Sequence, residues 1–334
     1  MEFLSIWKTQ LVKVQFHTPV YSLCFKPDQS QLIAACSNDL FFISPSTGKI
    51  IEKKRSHQAP VYCVRCSYDG QFFASSSSDG TVVIWRSYNN DGFVTYGSQS
   101  TTKSLVWCPT KQLLLSCSTN EYYKWQQDNV RATRVQVKTP IESITFSPNG
   151  EVFIIAYSDG TLNVVSTENE TQILQTMKYS SIVTCVSFVT LKGVDYIVTA
   201  DLDCRVSMYR SSDKLLVGKN ALPFEALCSS TIGDADCFFA FAGVSGKVSL
   251  LTSGLSYLGD FDTESKWIWD IAVDKQGRLA LATREGYVEL RSIDFGIAFA
   301  CSDDVIAYRT SINAMSVRDI VTGKQTDLVF FKII

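Results

Sequence analysis

Histidine is nearly absent: the 334 residues contain only His17 and His57. Schemes in which an imidazole activates a serine or cysteine nucleophile therefore have at most two places to start. An excess of either charge is missing too, since 31 basic and 33 acidic residues leave a formal net charge of −2. That balance gives no reason to expect nucleic acid or an anionic membrane surface as a partner. Long apolar runs are lacking. The stretch "CFFAFAGV" at 237–244 is among the most apolar and is far too short to cross a bilayer. The opening "MEFLSIWKTQ" has an acid at position 2 and no basic-then-apolar layout, so no secretory signal is expected. No helical periodicity competes in length with the alternating apolar patterns of the chain.

Cysteine is plentiful but carries no pattern. Eleven are present, an odd number. Cys24, Cys63, Cys66, Cys108 and Cys185 lie in alternating apolar runs, where a free thiol acts as a small hydrophobe. Cys63-Val-Arg-Cys66 is a lone CxxC, and zinc would need a second ligand pair that the chain does not supply. Residues three apart on a strand also point to opposite faces. No metal and no other cofactor is expected, and reduced thiols fit the cytosol. "GVSGK" at 243–247 lacks the Gly-x4-Gly-Lys-Ser/Thr spacing of a phosphate loop and leads into a strand, so it reads as a hairpin turn.

What the chain does contain is a repeat. "HTPVYSLCFKPDQSQLIAACSND", from His17, lies over "HQAPVYCVRCSYDGQFFASSSSD", from His57, with one residue inserted in the second copy. Alternating strands end in polar turns at Lys26-Pro27-Asp28, Tyr68-Asp69-Gly70, Cys108-Pro109-Thr110 and Ser147-Pro148-Asn149-Gly150. Weaker counterparts fall near Leu191-Lys192-Gly193, Gly233-Asp234 and Lys275-Gln276-Gly277. A second series follows about ten residues later in each copy, with Asp79-Gly80, Asp159-Gly160, Ser245-Gly246 and Glu285-Gly286 as its clearest members. Both series recur at about forty residues and count seven copies. Alternation, turn, alternation, turn is the sequence form of a four-stranded antiparallel blade. The expected fold is all-β, a seven-bladed β-propeller over 1–294. Its blades lie roughly at 17–56, 57–98, 99–138, 139–180, 181–220, 221–264 and 265–294, the last closed by 11–16. Residues 295–334 are expected to complete closure or to start a truncated second propeller.

The second copy, "SSSSDGTVVIWRS" included, resembles a WD40 repeat. His57, Ser75, Asp79 and Trp85 stand where that family keeps a hydrogen-bonded tetrad, and the resemblance implies the same structural role here. The chemistry is reasonable independently, because a buried Asp needs donors and an imidazole, a hydroxyl and an indole N–H can satisfy one another in series. Arg86 replaces the aspartate of the WD dipeptide and Ser56 the glycine before the histidine. Blade 3 keeps Ser116 and Trp125; blade 1 keeps His17 without a tryptophan. Both histidines are read as satisfied core residues at a structural loop position.

The segments "FKPDQSQLIAACSND", "PVYCVRCSYDGQFFASSSSDGTVVIW" and "VSLLTSGLSYLGDFDTESKWIWDIA" are similar, in that order, to the N-terminal region of the intraflagellar transport protein 122 family. "SKWIWD" at 265–270, then "EGYVELRSIDF" and "DVIAYRTS", are its most specific pieces. That resemblance implies a non-catalytic scaffold of the intraflagellar transport A complex, acting in retrograde ciliary transport and in entry of membrane receptors. It implies as partners other large propeller and helical-repeat subunits, with ciliary cargo or receptor adaptors beyond them. It implies a location in the cytoplasm, the cilium and its basal body. The alternative is a WD40 substrate adaptor that reads a short linear motif, for ubiquitin ligation or a vesicle coat. No enzyme is expected: the acids Asp28, Asp69, Asp79, Asp159, Asp234 and Glu285 fall at turns, where such side chains cap backbone groups. A carboxylate pair in the channel is the one catalytic arrangement left open. Two features are candidates for partner binding. Lys53, Lys54 and Arg55 form either an acidic-partner patch or a solvated strand edge. Trp267 and Trp269, on one strand face, serve either inter-blade packing or a binding hot spot.

Overall fold

The computed structural model describes residues 7–55, 57–97, 100–126, 132–169, 172–232, 238–275, 277–293, 299–302, 305–311, 314–319 and 324–329. Ser56, Gly233, Asp234 and Gln276, named above, lie outside them. Among the described residues every regular element is a strand, and no helix is long and apolar enough to cross a membrane. The fold is a seven-bladed β-propeller of four-stranded antiparallel blades.

Blade 1 runs Val20–Phe25, Leu32–Cys36, Asp39–Ile43 and Ile50–Arg55, from the axis outward. Blade 2 follows with Val61–Cys66, Phe72–Ser77, Thr81–Arg86 and Asp91–Gly97. The next four repeat this order, with innermost strands at Thr102–Trp107, Ile141–Phe146, Val183–Leu191 and Ala226–Ile232. Blade 7 has Ile268–Val273, Arg278–Thr283 and Tyr287–Ile293, and its fourth strand is Trp7–Gln15 from the other end of the chain. Each innermost strand touches the next, and that of blade 7 touches that of blade 1.

The chain divides into two compact units, residues 10–291, and residues 1–9 with 292–334. The second unit holds one further four-stranded sheet: Phe299–Ser302, Val305–Ser311, Ala314–Asp319 and Gln325–Val329.

Burial follows position in the blade. Second strands such as Phe72–Ser77, Leu113–Ser118 and Phe238–Gly243 are buried at every residue, because neighbouring blades cover both faces. Small or apolar side chains are therefore required at consecutive positions, which is why three serines of "SSSS" are tolerated only where they are bonded or tightly packed. Outer strands such as Ile173–Lys178 are almost wholly exposed.

The ring seam is closed by side chains and backbone together. Val14 and Phe16 enter the core shared by blades 7 and 1, and the Phe16 ring meets that of Phe41 at 4.8 Å. The Phe16 amide donates to Gly286 O at 2.7 Å. Gly286 has φ +86°, and a Cβ there would lie 2.6 Å from Phe16 O, so the close approach requires glycine. Lys13 pairs with Glu264 and lies over the Tyr287 ring.

Candidate functional site

All seven innermost strands share an irregularity. Each shifts register after its first residue, at Val20/Ser22, Val61/Cys63, Thr102/Ser104, Ile141/Ser143, Val183/Cys185, Ala226/Cys228 and Ile268/Asp270. A bulge of this kind leaves one residue unpaired and re-aims its side chain. In every blade that residue lines the axial cavity, which has a volume of about 690 Å3. Blades 7, 1 and 2 contribute Trp269, Tyr21 and Tyr62, an aromatic sector. Blades 3 and 4 contribute Lys103 and Glu142, both exposed, and blades 5 and 6 contribute Thr184 and Leu227. The channel wall is thus aromatic on one side and charged on another.

The aromatic sector is continuous. Trp267 and Trp269 pack with centroids 5.2 Å apart, Trp269 meets Tyr21 at 5.8 Å, and Tyr21 meets Tyr62 edge-on at 5.0 Å. Arg284 lies 5.5 Å from the Trp267 ring. All four rings are partly exposed, so they join three blades and still present surface. The indole N–H groups of Trp267 and Trp269 have no acceptor among the described residues.

Behind the rings an ion pair ties the same three blades. Arg65 donates to Asp270 through Nη1 to Oδ2 at 2.8 Å and Nη2 to Oδ1 at 3.2 Å. The Ser22 hydroxyl and the Leu23 amide donate to the same Oδ2 at 2.6 and 3.0 Å, and the Ile271 amide to Oδ1 at 3.0 Å. Arg65 Nη1 also reaches Val64 O at 2.8 Å. This carboxylate is therefore occupied. Among the described residues no group of three or more His, Cys, Asp or Glu is placed to hold a metal ion.

In blade 2 the structure brings His57, Ser75, Asp79 and Trp85 together and adds Thr81. The Trp85 indole donates to Ser75 Oγ at 3.0 Å, and Ser75 Oγ lies 2.8 Å from His57 Nε2. His57 Nδ1 is 2.7 Å from Thr81 Oγ1 and 3.4 Å from Asp79 Oδ2. Thr81 Oγ1 is 2.6 Å from Asp79 Oδ1. A carboxylate can only accept, so the Thr81 proton points to Asp79 and His57 Nδ1 must donate to Thr81. His57 Nε2 then accepts from Ser75, and the order of donation is Trp85, Ser75, His57, Thr81, Asp79. Burial lowers the His57 pKa despite the nearby Asp79 charge. Burial opposes ionisation of Asp79 too, but the Thr81 hydroxyl and the Gln58 and Thr81 amides outweigh it and hold its pKa below the usual range. Ser75 has no exposed surface, so this relay faces no substrate.

Other blades depart from it in instructive ways. In blade 3 the Tyr96 hydroxyl, from the preceding blade, donates to Ser116 Oγ at 3.0 Å, and the Trp125 indole has no acceptor among the described residues. His17 is not a satisfied core residue as its sequence position suggested; it is exposed. Register explains why. Val20 pairs with Cys36 as Val61 does with Ser77, which puts Ala34 at the Ser75 position and Ile43 at that of Trp85. Counting back four residues from Val20, as His57 stands four before Val61, reaches Phe16, whose buried ring fills the loop position; His17 falls one residue past it and stays in water.

Of the basic run, Lys53 pairs with Asp39 at 2.9 Å and Lys54 with Glu52 at 3.2 Å and Asp91 at 3.3 Å. Those lysines are held by neighbouring acids of their own sheet and of blade 2. Arg55 is exposed.

Residues 19–292 match the family described as IFT122 first beta-propeller. The intraflagellar transport protein 122 homologues of Mus musculus and Xenopus tropicalis are each 24% identical over 311 residues, covering 92% of this chain and 26% of theirs. The protein transport protein sec13 of Emericella nidulans is 32% identical over 108 residues, 27% of this chain and 35% of its own. The chain spans about a quarter of the length of the intraflagellar transport relatives it matches. With most of its length matched, the chain belongs to the IFT122 first β-propeller family.

Proposed function

We propose that the chain is a non-catalytic interaction scaffold of the intraflagellar transport A complex. It serves retrograde ciliary transport and ciliary entry of membrane receptors, in the cytoplasm, the cilium and its basal body. The observation that carries this reading is the family match over residues 19–292. Physical support comes from the closed ring, which holds loops and rim rigid so that partners bury area without ordering it first. Its partners on this reading are other large propeller and helical-repeat subunits. The test is affinity purification of the tagged chain from ciliated and deciliated cells, with identification of co-purifying chains. Recovery of such subunits is expected, and their absence from ciliated cells would overturn the assignment.

A second reading, a WD40 adaptor for a short linear motif, is favoured by the aromatic sector. Partly exposed indole and phenol rings packed side by side are the surface that peptide grooves use. Trp269→Ala with Tyr62→Ala discriminates the two. An adaptor loses its peptide partners, whereas a scaffold engaged through its rim keeps its subunits.

A further inference from the structure

We propose that Cys24 and Cys66 form a peroxide-sensitive modification site, oxidised to a disulfide that joins blades 1 and 2. The residues are 42 apart in sequence and lie on the innermost strands of adjacent blades. The Cys66 amide donates to Cys24 Sγ at 3.1 Å. That contact sets the Cys24 sulfur against the Cys66 backbone, and a disulfide asks in addition for Cα atoms roughly 4.4–6.8 Å apart. Both side chains pack on one apolar cluster, that of Ile33, Phe42, Val64 and Phe73. Both are partly exposed, and Cys66 lies on the channel wall. Cys63, the other half of the CxxC, turns the opposite way into the cluster between blades 2 and 3 and is no partner.

The two thiols are not equivalent. A hydrogen bond from the Cys66 thiol lowers the Cys24 pKa, and the Arg65 charge adds to it against the cost of burial. The same bond, with burial, pushes Cys66 well up. Partial exposure beside a cation is the setting in which a thiolate reacts. Chemistry follows in two steps, with a hydroperoxide as the oxidant. The Cys24 thiolate attacks one peroxide oxygen; an S–O bond forms, the O–O bond breaks, and hydroxide leaves and takes up the proton Cys24 had released. Cys66 sulfur then attacks the Cys24 sulfenic sulfur; the S–S bond forms, the S–O bond breaks, and water leaves with the Cys66 proton. Two thiols and one hydrogen peroxide give one disulfide and two waters.

The test treats the 334-residue chain with graded hydrogen peroxide and maps it under non-reducing conditions, beside Cys24→Ser and Cys66→Ser. Expected are a cross-linked Cys24–Cys66 peptide, a mass loss of about 2 Da reversed by a phosphine, and a dimedone adduct on Cys24 in Cys66→Ser. Cys24 should also alkylate at least tenfold faster than Cys204, a partly exposed thiol whose pKa burial raises. That comparison uses the unmutated chain and does not depend on how the variants fold. A disulfide between other cysteines, dimedone on Cys66 in Cys24→Ser, or equal alkylation rates at Cys24 and Cys204 would overturn the proposal.

Discussion

Replacing Asp270 by alanine should destabilise the propeller by about 3 kcal/mol, and the figure can be assembled from its contacts. Asp270 accepts from Arg65, Ser22, Leu23 and Ile271, and its side chain is only 8% exposed. Removing one partner of a buried pair costs about 3–5 kcal/mol when the remaining charge is fully enclosed. The Arg65 side chain is 37% exposed to the channel, so water recovers much of that term. The Ser22 hydroxyl and Leu23 amide are left without this acceptor, at about 1 kcal/mol each. Arg65→Met should cost a similar amount, about 3 kcal/mol, because it leaves the more enclosed Asp270 charge without its cation although three neutral donors still hold it. The double variant removes both charges at once and should fall about 2 kcal/mol short of the sum. Urea unfolding, followed by tryptophan fluorescence and far-ultraviolet circular dichroism, measures all four proteins. Single effects that add to within about 0.5 kcal/mol would refute the argument that the pair couples three blades.

The repeat period, the Asp-Gly turns and the serine-rich second strand were legible because each is a local pattern. Asp79-Gly80 marks its turn by residue type, and Phe72–Ser77 is small or apolar throughout because it is enclosed throughout. The channel lining was not legible. It depends on the bulge residue of each innermost strand, and Tyr21, Lys103, Thr184 and Leu227 share no chemistry that could flag them. A bulge is a property of register between two strands, which a single strand does not display. Register also decided the fate of His17, since only pairing shows that Phe16, not His17, occupies the position of His57. Thr81 was overlooked because a threonine opening a strand is ordinary; its place after Asp79-Gly80 was the available signal. Arg65 and Asp270 meet only when the ring closes, across 205 residues of sequence.

At the seam, Phe16→Ala should cost about 3–5 kcal/mol as a buried aromatic deletion, seen as a lower urea midpoint; a change under 1 kcal/mol would mean that closure does not rest on this strand. Thr81→Val should cost about 1–3 kcal/mol, because His57 Nδ1 loses its acceptor and Asp79 a donor; denaturant melts equal to those of the parent would remove Thr81 from the relay. His57 supplies a pH test of the same relay. Burial makes its folded pKa lower than the ordinary value near 6.5 that it regains on unfolding. Below that value the unfolded chain binds the extra proton, so the stability His57 contributes is complete above about pH 6.5. It is lost as pH falls toward the lowered folded value, at up to about 1.4 kcal/mol per pH unit, and levels off beneath it. Asp79, held below its ordinary value, loses its contribution only as pH falls through about 4 and beyond, so the two windows separate. His57→Gln has no such titration. The stability gap between parent and variant should therefore shrink between pH 7.5 and 5, and a gap that stays constant or widens would mean that the imidazole is not held neutral by the fold.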